Sequence, residues 1–252
     1  MIANQLSLTR KQINSFDRFL VDGTGKALNA LETMFALNIV RSDSTIEIAT
    51  GVNSEFLKHL GSGPLYIVSS VMEGDMQGSI LLLLRSGDFK YLGEVVRPVL
   101  SLIYLSSPDI DLATLDSQKP DWTQDDDTRN TTDEAFHEQM MDLLAEMGNV
   151  LFGLYTNAMY KICNLNTHHS VPEALRDPDQ QALQQVLSST EEADQLHLVI
   201  ENEFVAMDRT IKLWCLISPT QGSFQDMLNK IECLYDYQNQ GLFRPVQNSM
   251  AT

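Results

Sequence analysis

Shifted by 131 positions without a gap, the chain lays Leu65, Tyr66, Ile67 and Val68 on Leu196, His197, Leu198 and Val199. The same shift puts Met76 on Met207, and Ile80, Leu82 and Leu83 on Ile211, Leu213 and Trp214. A 252-residue chain with this self-similarity reads as two halves of one plan, each of about 100 residues. In the first half an amphipathic stretch from about Lys26 to Leu37 precedes a strand from Thr45 to Thr50. Two strand-like runs follow, LYIVSSVME and GSILLLLR, separated by Gly74-Asp75-Met76-Gln77-Gly78 as a turn, and GDFKYLGEVVRPVL closes the half as a helix. In the second half a long helix from about Asp133 to Cys163 precedes QLHLVIENEFVA and RTIKLWCLI, with SFQDMLNKIECLYDY as the closing helix. Apolar residues alternate through Glu201 to Phe204 and Thr210 to Ile217, as strands with one face on a core require. The expected architecture is a two-layer α/β (α+β) domain, a tandem αββ-type duplication whose largely antiparallel sheet is covered by helices.

Ser106 to Thr132 is rich in Asp, Ser, Thr and Pro and holds no apolar period, so it reads as an acidic, exposed linker. The expected division is 1–105, linker 106–132 and 133–252, the halves sharing one structural domain. Seventeen Lys and Arg against 34 Asp and Glu give a net charge of −17, which argues against a duplex nucleic acid or an anionic membrane as partner. Proteins are the expected partners. Cys163, Cys215 and Cys233 are widely spaced, with no Cys-x-x-Cys pair, so they suggest neither a disulfide framework nor a thiolate zinc site. The first residues lack the apolar core of a leader peptide, and the longest apolar run, Ile80 to Leu84, is far short of the roughly 20 residues that span a bilayer. A cytoplasmic protein is expected.

Between Thr132 and Asn164, Phe136, Met140, Leu143, Leu144, Met147, Val150, Leu151 and Leu154 recur at spacings of three and four and predict one buried stripe. Thr132 suits an N-cap, and Asp133 and Glu134 suit the positive end of the helix dipole. Asp142, Glu146, Asn149 and Gly153 share the opposite face, with Glu146 and Asn149 one turn apart. Such a face also fits an ordinary solvated surface.

The order Asp142, Glu146, Asn149, followed 23 positions later by Pro172, resembles the signature of the CheC/CheX/FliY family of chemotaxis phosphatases. Gly153 falls where that family usually has a small residue. The resemblance covers about Thr24 to Tyr235 and is strongest from Asp142 to Pro172. In the first half, laying Glu32 on Glu146 puts Phe35 where the amide should be and Leu28 in place of the aspartate. Phenylalanine cannot hydrogen-bond a water, so one intact signature is expected, as in CheX-type members, whereas CheC proper typically carries two.

The resemblance implies hydrolysis of the aspartyl-phosphate of a CheY-like response regulator. Such a partner brings the phosphoryl group, a divalent metal (Mg²⁺) and a lysine, so the missing part is a water placed in line with the scissile bond. In this reading Asn149 orients the water through its carboxamide and Glu146 pairs with the partner's lysine. Asp142 would bind donors at the edge of the docking surface. Pro172, fixing its own φ and restricting Val171, would shape the chain after the helix. No cofactor of this chain's own is implied, and a homodimer stays open. The rival reading is a non-catalytic adaptor or flagellar-switch component of the same fold.

Other features carry less. His168 and His169 are adjacent, face opposite ways in an extended chain and read as loop residues without a ligand set. Asp22-Gly23-Thr24-Gly25-Lys26 lacks the spacer of a phosphate loop and reads as a helix entry. Asn130-Thr131-Thr132 fits a glycosylation sequon that a cytoplasmic chain would not use. The eleven methionines fall mostly on helix stripes, where they fill a core. A small-molecule hydrolase with Glu146 as general base lacks a second acid, nucleophile or metal set.

Overall fold

The computed structural model describes residues 9–35, 39–50, 60, 63–105, 131–175, 183 and 196–239. In chain order they form α1 (Arg10–Phe35), β1 (Ile39–Thr50), β2 (Leu65–Gly74), β3 (Gly78–Arg85), α2 (Ser86–Leu105) and α3 (Thr131–Cys163). Then come β4 (Thr167–His169), β5 (Glu173–Leu175), β6 (Leu196–Ala206), β7 (Arg209–Pro219) and α4 (Gln221–Asn239). The seven strands make one antiparallel sheet in the order β1-β6-β7-β3-β2-β4, with β5 also paired to β2. The predicted α+β class with an antiparallel sheet and covering helices is what the chain adopts. The residues between 106 and 130, which hold nearly all of the predicted linker, and the sequon residue Asn130 lie outside the described ones.

The hairpins β2–β3 and β6–β7 are the two runs that the 131-residue shift superposes, and they join through the β3–β7 ladder. The outer strands are exchanged between the halves: β1 pairs with β6, and β4 and β5 pair with β2. The turn between β2 and β3 uses glycine where no other residue fits. Gly74 has φ +99° and Gly78 φ +146°, and a Cβ there would meet the carbonyl oxygens of Asn166 and Ser218 at 2.3 and 2.1 Å.

One face of the sheet carries Val68, Met72, Ile80, Leu82, Ile200, Leu213 and Ile217, against which all four helices pack. The other carries Leu65, Ile67, Leu81, Leu83, Val199, Trp214 and Leu216, packed with Leu60 and Leu183. Burial on both faces is why GSILLLLR reads as a continuous apolar run rather than an alternating one.

The first helix differs from the sequence expectation. It starts at Arg10, not near Lys26, and Phe16 and Phe19 already face the core. Asp22 to Lys26 are therefore helix interior rather than a helix entry. Helical glycine costs roughly 1 kcal/mol relative to alanine. At Gly23 the close approach of α1 and α3 explains the choice, because a Cβ would meet Tyr155 Cδ1 at 2.9 Å. The strand expected from Thr45 runs from Ile39, held along its length by β6. Leu37, the expected end of the first helix, lies outside the described residues, as do the side chains of Thr132, Asp133 and Glu134.

Candidate functional site

The helix α3 packs against both the sheet and α1, so more of its circumference is buried than the predicted stripe alone. Met140, Leu144, Met147 and Leu151 are buried, and Phe136, Leu143 and Leu154 pack partly against the same core. Met141, Phe152, Tyr155, Ala158 and Met159 are buried as well. Gly148 sits against the sheet so closely that a Cβ would lie 2.7 Å from Val68 Cγ1. What stays open is a narrow strip in which Asp142, Glu146 and Asn149 are exposed and Gly153 is half-buried. Glu146 and Asn149 thus project from one face of a helix whose two intervening residues, Met147 and Gly148, are anchored in the interior. The helix ends cleanly at Cys163: Asn164 takes φ 51°, and its amide donates to the Tyr160 carbonyl oxygen at 2.9 Å.

Pro172, buried, stands between β4 and β5. β4 pairs His169 with Met72, and β5 pairs Glu173 with Ser69, so three residues, Ser170 to Pro172, lie opposite two, Ser70 and Val71. The extra residue makes a bulge, and a proline is tolerated there because it has no amide to leave unpaired. The Ser170 amide donates to the Val71 carbonyl oxygen at 2.9 Å, the Val71 amide to Ser170 Oγ at 3.1 Å, and Ser70 Oγ–H to the Ser170 carbonyl oxygen at 2.7 Å. Pro172 is the last residue of this bulge, and Val171 is 85% exposed at its crest.

The histidine pair is not in a loop. His168 and His169 belong to β4 and do face opposite ways, because the ladder to β2 holds them extended. His168 Nε2 is 3.2 Å from Glu73 Oε2 on the exposed side. His169, opposite the buried Met72, turns towards α3. Its ring is edge-on to Phe152 with centroids 5.8 Å apart, and its Nε2 lies 3.7 Å from where a Cβ on Gly153 would be. Nothing in the sequence around His169 points to this place; the pairing of β4 with β2 brings it to the end of the candidate strip. Among the described residues, no three His, Cys, Asp or Glu side chains are grouped so as to hold a metal.

The first helix does not repeat the Glu-x-x-Asn order. Glu32 is the only glutamate of α1, and Phe35 and Leu28 are buried in the core. Laying Glu32 on Glu146 therefore sets core positions against the exposed Asn149 and Asp142, so that register does not superpose equivalent faces of the two helices.

An antiparallel sheet of exchanged halves covered by a long helix is a CheC/CheX/FliY-like fold, and solved structures share it. FliY of Thermotoga maritima matches over 93% of this chain and 99% of its own, with a TM-score of 0.59 at 14% identity. The FliM middle domain from H. pylori matches over 88% and 99%, with a TM-score of 0.52 at 12% identity. The H. pylori FliG–FliM complex includes a chain matching over 88% and 100%, with a TM-score of 0.52 at 10% identity. No family model matches the sequence, and no curated protein sequence matches it. Among the described residues, no helix is long and apolar enough to cross a membrane.

Proposed function

We propose that the chain is a phosphatase acting on the aspartyl-phosphate of a CheY-like response regulator, with α3 as the element presented to the partner. The observation that carries this reading is the exposure of Glu146 and Asn149 together on one face of a helix whose other faces are buried. A carboxamide offers an acceptor oxygen and two donor hydrogens but no proton to exchange at neutral pH, so its useful chemistry is to orient. Inserted into the partner's site, Asn149 would hold a water in line with the scissile bond. The water oxygen attacks phosphorus, the bond from phosphorus to the aspartyl oxygen breaks, and aspartate and inorganic phosphate result. Glu146, one turn away, would pair with the partner's lysine and fix the register of docking. Mg²⁺ would come with the partner. Asp142 borders the same strip, and Gly153 and Pro172 shape its end. This setting implies a cytoplasmic protein.

A second reading is a switch or adaptor component that binds a response regulator without dephosphorylating it. The fold is shared with FliM middle domains, one of them in a complex with FliG, and α1 carries no Glu-x-x-Asn. The two readings differ in turnover. The chain is added at one-tenth the concentration of a phosphorylated CheY-like regulator, and inorganic phosphate release is followed. A phosphatase gives many equivalents of phosphate per chain. An adaptor leaves the decay rate unchanged, or slows it only for the fraction bound.

A further inference from the structure

We infer that His169 is a positioning residue of this site, presenting a fixed hydrogen-bond acceptor to the docked response regulator one turn beyond Asn149. The inference rests on the proposed docking of α3. His169 Nδ1 is 2.8 Å from the Ser170 carbonyl oxygen, which can only accept, so Nδ1 carries the hydrogen in the neutral ring. Nε2 then bears a lone pair, and it lies over Gly153 on the strip that holds Glu146 and Asn149. Residues four apart on a helix are neighbours on one face, about 5–6 Å between Cβ positions, which puts Nε2 beside the space Asn149 reaches into.

The ring is held from three sides. Phe152 packs edge-on against it, β4 fixes its backbone to β2, and the carbonyl it donates to also accepts from Ser70 Oγ–H. That carbonyl belongs to the bulge that ends at Pro172. Gly153 and Pro172, the two members of the signature without chemistry of their own, thus converge on the histidine. Proline permits the bulge whose carbonyl orients the ring, and Gly153 leaves Nε2 uncovered, since a Cβ there would stand 3.7 Å from it in ordinary contact. Glu146 and His169 would then flank the carboxamide with one acceptor on each side, and both would engage donors on the partner.

His169→Phe keeps a ring against Phe152 but removes the acceptor, and His169→Gln keeps an acceptor on a flexible stem. With a phosphorylated CheY-like regulator as substrate, His169→Phe is expected to raise KM about tenfold and leave kcat within about twofold of wild type. His169→Gln should recover most of the loss. The Kd for the same regulator activated with beryllofluoride and Mg²⁺ should rise in parallel with KM. Gly153→Leu, which leaves the histidine in place but covers Nε2, should raise the same Kd and guards against a folding defect in His169→Phe. Unchanged KM and Kd in both His169→Phe and Gly153→Leu would overturn the inference, as would a fall in kcat at constant KM. If the wild-type chain binds the regulator without accelerating decay, the phosphatase reading fails, and the Kd comparison alone decides the role of His169.

Discussion

Leu83 and Trp214 face each other across the β3–β7 ladder, and they are the residues that the internal repeat superposes. The local axis relating the two halves therefore passes between them, through the middle of the sheet. Both are buried on the face away from the helices. Trp214 also donates its indole N–H to Glu201 Oε2 at 2.9 Å and lies under the Arg85 guanidinium, 5.0 Å from the ring centroid. This junction joins the halves without a covalent element. Trp214→Ala should cost about 3–5 kcal/mol and Leu83→Ala about 2–5 kcal/mol in urea denaturation. Because the residues share one contact, the double variant should lose less than the sum. Strict additivity would mean that the pair does not act as a unit.

Gly148 lets α3 settle on Val68 between the exposed Glu146 and Asn149. Alanine there gains up to about 1 kcal/mol of helix propensity but must displace a buried branched side chain. The net expectation for Gly148→Ala is a loss of about 1–2 kcal/mol, with the proposed phosphatase turnover falling because Asn149 is lifted with the helix. A variant more stable than wild type in thermal unfolding would show that the helix can shift without cost.

How far the sequence could be read depended on the range of the interactions involved. The hairpins announced themselves because Leu65 to Val68 and Leu196 to Val199 repeat, and the exposed strip of α3 did so because burial on both flanks left a narrow polar line from Asp142 to Asn149. The first helix is longer than its apolar period indicates. Phe16 and Phe19 are single aromatics in a polar stretch, and Gly23 and Gly25 look like a boundary until Tyr155 is seen packed against the first of them. His169 was illegible for a different reason: a three-residue strand acquires meaning only from its pairing with Met72, nearly a hundred residues earlier in the chain.

His197 is buried and 2.8 Å from Ser218 Oγ, and burial pushes its pKa below the ordinary value of 6.5. Well above pH 6.5 the imidazole is neutral in both folded and unfolded chains, and the shift contributes nothing. As pH falls below that value, the unfolded chain takes up a proton that the folded chain refuses, and stability falls by at most about 1.4 kcal/mol per pH unit. Urea midpoints measured from pH 8 to 5.5 should decline for wild type and decline less for His197→Gln. Parallel curves for the two proteins would contradict this assignment.

Substitution at Asn149 tests the proposed chemistry most directly. Phosphate release from a phosphorylated CheY-like regulator is measured with wild type, Asn149→Ala and Glu146→Ala, alongside the Kd for the beryllofluoride-activated regulator. The account predicts that Asn149→Ala loses about 100-fold of the acceleration while its Kd stays within about twofold, whereas Glu146→Ala weakens binding as well as turnover. Acceleration by Asn149→Ala equal to that of wild type would contradict it.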